Sequence, residues 1–300
     1  MSTPDASPPG SPPQEPGPTP EPPPSQVVDD ANDLRGHHFK LLMGRPLTWF
    51  LIGGFALAGA IAGAIFLSAP LGGAIAAGIV IAGILIVFAI ADSRAADAFF
   101  TAYAKERGYE LGGKSPLPQV TPLLCKGDRR YANRTLSGPI GEGLEGIVAL
   151  YTYEVESTDS KGNKQTNYYR YTVGLVNVPE CVDHIPELYV QRKFGFRALE
   201  KFEDVFRGSK ERVSLESEVL HEKYEIFADK AQDAVWLRRL FSPTFIVWLT
   251  DSAPEKFAFE LVGGNLCCYV SGHKERAADL DTIAAASAAV AKRLREEAVE

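Results

Sequence analysis

The sequence has no charged residue between Arg45 and Asp92. One helix crosses about 30 Å of hydrocarbon with about 20 residues, and this uncharged run is more than twice as long. A break is therefore needed, and SAPLGG supplies one, because Pro70 ends a helix and the two glycines after it allow a tight reversal. We predict a transmembrane hairpin with spans at about 47–68 and 72–91. The absence of ionisable groups inside either span argues against a transporter or channel.

The sequence also lacks the residue patterns of common metal and catalytic sites. Its four cysteines match no zinc-binding spacing, and neither H-E-x-x-H nor G-x-S-x-G occurs. Cys267 and Cys268 are adjacent and would point to opposite faces of a strand. A net charge of −7 gives no basic face for a nucleic acid. We therefore predict no catalytic residues, no metal, no cofactor and no nucleic-acid partner.

The amino-terminal tail is rich in proline and poor in apolar residues. Eleven of the 21 prolines lie in the first 26 residues. Such a segment cannot bury enough apolar area to offset its ordering entropy, so residues 1–34 are predicted to be disordered. Extended proline runs can bind an aromatic-lined groove of a protein partner, or they can serve only as a soluble spacer. The tail lacks the basic start and apolar core of a signal peptide.

Basic residues flank the uncharged run on both sides and are absent from the turn within it. The positive-inside rule then places both termini in the cytoplasm, in a multi-pass protein of the plasma (inner) membrane. Residues 35–91 comprise the juxtamembrane segment and the hairpin. The flanking basic residues are Arg35, Lys40 and Arg45 before the first span, and Arg94, Lys105 and Arg107 after the second.

Small residues recur within the spans. Gly59 and Gly63 form a G-x-x-x-G pair, a spacing that lets two helices approach closely. Two uses are open. The pair can pack the hairpin against itself, or it can form a homo-oligomer with another copy.

Residues 92–107 have helical spacing of apolar positions and predict a membrane-proximal helix that ends at Gly108. Residues 108–300 then change to strand patterns, with β-branched and aromatic runs separated by turn sequences. The predicted strands lie at 146–157, 166–179, 186–193, 212–228 and 257–272, the last segment being two strands around Gly263 and Gly264. The predicted helices lie at 197–206, at 229–252 with a break at Pro243, and at the carboxyl end.

The carboxyl-terminal helix carries the clearest periodicity, because apolar residues line one of its faces. These residues are Leu280, Ile283, Ala286, Val290 and Leu294. The predicted fold class is therefore α+β: a two-helix transmembrane hairpin followed by a cytosolic, mostly antiparallel β domain with packed helices.

One motif does match a known pattern letter for letter. GYELGGKS, residues 108–115, fits the phosphate loop G-x-x-x-x-G-K-S/T, whose site residues would be Gly108, Gly113, Lys114 and Ser115. A phosphate loop needs a strand before it and a helix after it. Here a predicted helix precedes the motif and repeated prolines follow it, so a nucleotide site is only the alternative interpretation.

Several segments resemble a family of bacterial, often actinobacterial, two-span membrane proteins with a cytosolic domain of unknown function. The resemblance covers roughly residues 45–270 and includes FTAYAKERGYEL and GEGLEGIVALYTYEV, with Gly141, Gly143 and Gly146. It also includes spaced positions in a later stretch, namely Glu218, Tyr224, Phe227, Asp233, Leu240, Pro243 and Leu249. The resemblance implies membrane attachment but no catalytic or binding role for any residue.

The leading hypothesis is thus a non-enzymatic integral membrane protein whose tethered domain binds protein or lipid. The alternative is a membrane-bound enzyme with a nucleotide site at residues 108–115.

Overall fold

A computed structural model describes residues 30–66, 68–141, 143–158, 162–193 and 210–299. Most of the tail predicted to be disordered, and the helix predicted at 197–206, lie outside these ranges. Three helices come first: α1 (Ala31–Met43), α2 (Pro46–Phe66) and α3 (Ala69–Arg107). In the described residues a nine-stranded antiparallel sheet with packed helices follows, which confirms the predicted α+β class.

The apolar hairpin consists of α2 and the first half of α3. Its turn comes earlier than predicted, because α3 begins at Ala69 and Pro70 lies in its first turn. Proline is tolerated there, since the first amides of a helix have no intrahelical partner. Gly72 therefore lies inside α3, where it is buried, and not in the reversal.

Helix α3 is 39 residues long and extends from the apolar segment into the β domain without a break. At 1.5 Å per residue it measures roughly 58 Å. It ends at Gly108, whose φ of 72° is the left-handed conformation that glycine adopts at helix ends. The predicted second span and the predicted membrane-proximal helix are thus one element.

The carboxyl-terminal half of α3 belongs to the core of the β domain. Phe99 and Phe100 are fully buried, and Tyr103 is nearly so. These aromatic side chains pack in one cluster with Leu136 of the sheet. A division of the chain at residue 108 would therefore separate the domain from part of its own core.

The end of α3 is also tied to the last helix of the chain, α8 (Ala277–Val299). Arg107 donates to both carboxylate oxygens of Asp281, at 2.6 and 2.7 Å, and the Tyr103 hydroxyl donates to the same group at 2.8 Å. Although partial burial alone would raise it, these bonds hold the pKa of Asp281 below its ordinary value. These contacts therefore hold the carboxyl end of α3 against α8 of the β domain.

The described strands of the sheet are β1 (Glu110–Gly112), β2 (Arg129–Gly141), β3 (Leu144–Thr158), β4 (Lys164–Asn177), β5 (Glu187–Arg192), β6 (Lys210–Arg212), β7 (Tyr224–Asp229), β8 (Ala258–Val262) and β9 (Asn265–Ser271). Their order in the sheet is β1-β2-β3-β4-β9-β8-β5-β7-β6, with every neighbouring pair antiparallel. The turn between β8 and β9 is formed by Gly263 and Gly264, as predicted. Both have positive φ, which a type I′ hairpin turn requires.

Both faces of the sheet are covered. One face packs against α3 and α8, and all five predicted apolar positions of α8 are buried. The other face packs against residues 113–128, which contain the short helix α4 (Pro122–Cys125). Cys267 and Cys268 lie in the cores on opposite faces, as the alternation of a strand predicts.

Two segments differ from their predicted structure. Residues 212–228 contain α5 (Glu218–Lys223) between β6 and β7, because the Ser217 side chain accepts the Leu220 N–H and caps a short helix. Strand β2 was not predicted, since Gly138 and Pro139 interrupt its pattern. The segment at 229–252 does break at Pro243, giving α6 (Ala234–Leu240) and α7 (Pro243–Val247).

Candidate membrane-facing surface

Large apolar side chains are exposed along the length of the hairpin. Helices α2 and α3 are both long and apolar enough to cross a membrane. A water-soluble protein rarely exposes a continuous apolar surface of this size. The exposed residues, called the apolar belt below, are Leu47, Phe50, Leu51, Phe55, Leu57, Ile61, Ile65, Leu71, Ile75, Ile81, Leu85, Ile86, Phe88 and Ile90.

Charged groups begin directly where the apolar belt stops. The Arg35 guanidinium of α1 contacts the carboxylates of Asp92 on α3 and of Glu275 in the loop between β9 and α8. We call these three residues the polar collar. They join α1, α3 and the β domain at one level of the molecule.

Helix α1 lies beside α3 at this boundary. The Phe39 ring packs edge-to-face on Phe88, with centroids 5.9 Å apart. The half-exposed Trp49 donates its indole N–H to the Met43 carbonyl at 2.9 Å. An indole with an apolar body and a satisfied polar edge suits the interface between hydrocarbon and water.

Within the hairpin, glycines bring α2 and α3 close together. A Cβ on Gly59 would lie 2.4 Å from the Ile79 side chain, and one on Gly63 would lie 2.7 Å from the Gly72 Cα. The Gly59 and Gly63 faces are therefore covered by α3 of the same chain, which is the first of the two predicted uses. Association between copies through this pair stays a prediction.

Gly72 gives the strictest test of this packing. A Cβ there would lie 2.5 Å from the Ala60 carbonyl oxygen and 2.7 Å from the Ala64 nitrogen, and both atoms belong to helix backbone that cannot rotate away. We expect Gly72→Val to separate α2 from α3. Gly73→Val is the matched control, because a Cβ on Gly73 meets no heavy atom within 4 Å.

The separation can be measured by disulfide crosslinking between Ile52→Cys and Gly83→Cys, since a Cβ on Gly83 lies 2.9 Å from the Ile52 side chain. The exposed Cys125 is replaced by serine in this background. Crosslink yield should fall several-fold with Gly72→Val and stay unchanged with Gly73→Val. Equal yields in the two variants would contradict the packing.

The four residues of the phosphate-loop pattern do not surround a common space that could hold a phosphate. Gly108 ends α3, and Gly113 follows strand β1. The Lys114 ammonium lies 3.7 Å from the centre of the Tyr131 ring. The Ser115 N–H donates to the Ala132 carbonyl at 3.0 Å, as part of a β-bridge.

The elements around this motif also differ from those of a phosphate loop. A helix enters it, a strand lies inside it, and the next described helix is the single turn α4, which starts seven residues after Ser115. Among the described residues, no helix starts directly after the motif, where a phosphate loop needs a helix amino terminus to cradle the phosphate. We therefore do not propose a nucleotide site at residues 108–115.

A buried polar centre was not predicted. Glu260 on β8 is 1% exposed, and its Oε2 accepts the backbone N–H of Leu123 at 2.9 Å. Lys126 is buried beside it. Burial raises the pKa of Glu260 and lowers the pKa of Lys126 to about 8. The pair connects residues 113–128 to the sheet.

Tyrosines surround this centre on the same face of the sheet. Tyr153 stacks on Tyr169 at 4.8 Å and on Tyr171 at 5.9 Å, and Tyr171 meets Tyr269 edge-on. Burial raises the pKa of Tyr153, Tyr171 and Tyr269, so these phenols stay neutral. The side chains of residues 113–128 close over them. The face is a second core, and in the part of the chain that the structure describes no cluster of three His, Cys, Asp or Glu could hold a metal.

Comparisons with known proteins give little. No protein-family model and no curated protein matches the chain. Among solved structures, it is similar to the crystal structure of the mycobacterial trehalose monomycolate transport factor A, TtfA, with 9% sequence identity and a TM-score of 0.42. The match covers 68% of this chain and 94% of that one. This distant likeness carries no argument about function, and the resemblance to the two-span bacterial family stays a prediction.

Proposed function

We propose that the chain is an integral protein of the plasma (inner) membrane that holds its β domain at the cytoplasmic surface. Helix α2 and the apolar half of α3 cross the bilayer. The polar collar of Arg35, Asp92 and Glu275 lies just outside the hydrocarbon. The apolar belt that stops at this collar supports the placement.

The orientation follows from the basic residues. Lys40 and Arg45 precede α2, Arg94 follows the apolar half of α3, and Ser68 and its neighbours in the turn are uncharged. The positive-inside rule then puts both termini in the cytoplasm.

The observation that carries the proposed role is the continuity of α3. A helix that runs unbroken from the apolar belt into the domain core cannot act as a flexible linker. The domain therefore keeps a fixed height and orientation above the bilayer. This geometry suits a domain that binds a protein or lipid at the membrane surface, and we propose that role in preference to catalysis.

Cysteine accessibility tests the topology. Ser68→Cys should react with a membrane-impermeant maleimide added to intact cells freed of their outer barriers. The native Cys125 is exposed in the β domain and should react only after permeabilisation. Cys125→Ser gives the background for the first measurement. Labelling of Cys125 in intact cells would reverse the orientation, and recovery of the chain in the soluble fraction would overturn the proposal.

Binding experiments need the whole chain in nanodiscs. A fragment that starts at residue 108 lacks Phe99, Phe100 and Tyr103, which fill the core of the domain.

A further inference from the structure

The hairpin formed by β3 and β4 is longer than the strands beside it. Pairing with β2 ends at Glu154, and pairing with β9 ends at Tyr171. Beyond these points the two strands pair only with each other, as far as Thr158 with Lys164. Residues 155–158 of β3 and residues 164–170 of β4 therefore extend beyond their outer neighbours as a two-stranded arm, called the β3–β4 arm below.

The direction of this arm follows from the contacts of α3. Arg134 of β2 forms an ion pair with Asp97 at 2.7 Å, and Gly138 lies against the Gly108 carbonyl. Helix α3 and strand β2 thus run the same way across the sheet. Because β3 is antiparallel to β2, its carboxyl end points back along α3, towards the apolar belt.

A second set of contacts fixes the height of the arm. The Thr172 hydroxyl donates to the Gly272 carbonyl and accepts the Lys274 N–H, which joins β4 to the loop that contains Glu275. Glu275 belongs to the polar collar. The collar is therefore close to the level of Thr172.

The arm extends well past that level. From Thr172 to Lys164 there are eight residues, which at 3.3 Å each span on the order of 25 Å. The arm therefore reaches the lipid headgroup layer of the proposed placement, which is only about 5–8 Å deep on each side of the hydrocarbon. A contact confined to this layer requires the arm to lean away from the α3 axis, so that its polar end stays out of the hydrocarbon.

The surface of the arm suits headgroups. Tyr168 is 55% exposed, and the Arg170 guanidinium lies 6.0 Å from its ring. The acidic groups at the base of the arm are engaged within the protein. Glu154 accepts the Tyr131 hydroxyl at 3.0 Å, and Glu156 lies 3.8 Å from the Arg129 guanidinium. Exposed tyrosine and basic side chains are typical of protein surfaces that contact phospholipids.

We propose that the β3–β4 arm contacts the phosphate-bearing headgroups of the cytoplasmic leaflet, through Lys164, Tyr168 and Arg170. This inference rests on the proposed function, since it uses the membrane placement of α3. With the hairpin, the arm gives the domain two separate contacts with the membrane, which together limit the tilt of the domain relative to the membrane plane.

The test uses the full chain with Cys125→Ser, reconstituted in vesicles of phosphatidylcholine and phosphatidylglycerol. An environment-sensitive fluorophore is attached at Thr166→Cys on the exposed side of the arm. The matched control is Asp183→Cys, an exposed position beyond the opposite end of β4. Lipids with a spin label on the headgroup should quench the probe at residue 166 several-fold more than the probe at residue 183.

A third label, at Phe50→Cys in the apolar belt, distinguishes a failure of the arm contact from a failure of the proposed membrane placement. Quenching at 50 together with equal, weak quenching at 166 and 183 would overturn the arm contact and leave the membrane placement intact. A probe at 166 that is shielded from water but not quenched by lipid would mean a protein cover, and would also overturn the contact. Absence of lipid quenching at all three sites would overturn the proposed function itself.

Discussion

Phe99→Ala is expected to lower the free energy of unfolding of the β domain by about 3–5 kcal/mol. The side chain is fully buried, its ring meets the Phe100 ring edge-to-face at 5.0 Å, and both rings pack into the helical core. Removing the ring leaves a cavity in addition to losing buried apolar area. The effect should appear in the domain, even though Phe99 lies on the helix that continues the second apolar span.

Unfolding by denaturant in detergent, followed by tryptophan fluorescence, measures this effect. Trp236 and Trp248 report on the domain, and Trp49 is first replaced by phenylalanine. Phe55→Ala is the matched control, because Phe55 is 67% exposed on α2 and its loss should change the value by less than about 0.5 kcal/mol. If both variants unfold alike, α3 is not part of the domain core.

Local patterns predicted much of this fold. The periodicity of α8, the end of α3 at Gly108, the break at Pro243 and the turn at Gly263 each depend on residues near one another in sequence. The helical capping by Ser217 is also local, but the alternation of apolar residues around it favoured a strand instead. Strand β2 escaped prediction because proline is unfavourable inside a sheet, and Pro139 lies within this strand. The structure places Pro139 beyond the end of the pairing with β1, which stops at Ser137.

The apolar surface of the hairpin was predictable in outline and the buried centre was not. The uncharged run between Arg45 and Asp92 predicts the apolar hairpin directly. The polar collar depends on a contact between Arg35 and Glu275, which are 240 residues apart in the chain. In the sequence FAFELV, the alternation of apolar and polar residues predicts that Glu260 faces solvent. The structure buries it under residues 113–128, which are distant in the sequence.

The same long-range packing explains why the motif at residues 108–115 misleads. Its glycines serve a helix end and a strand, and its lysine packs on Tyr131. A sequence motif gives only the residue types. The secondary structure on either side decides whether the backbone amides can converge on a phosphate.

Glu260→Leu is expected to destabilise the domain by about 3–5 kcal/mol. The change leaves the Leu123 N–H without its acceptor and Lys126 buried without its acidic neighbour. Replacing Lys126 by methionine as well should recover much of the loss, because two apolar side chains are less costly to bury than one ionisable group alone. Glu255→Leu, at an exposed acid, is the control.

The pH dependence gives an independent readout of the same pair. A carboxyl group whose pKa is raised by folding contributes stability at low pH, and that stability is lost as pH rises from its unfolded value through the folded one. Lys126 has the opposite sign, so stability should rise between about pH 8 and its unfolded pKa of 10.5. Denaturant unfolding from about pH 4.5 to pH 10.5 should show both slopes in the native chain, and the Glu260→Leu, Lys126→Met double variant should lose both contributions. A double variant that keeps the native pH profile, or that is no more stable than Glu260→Leu alone, would mean that the two side chains are not coupled and that residues 113–128 are held on the sheet by their apolar contacts.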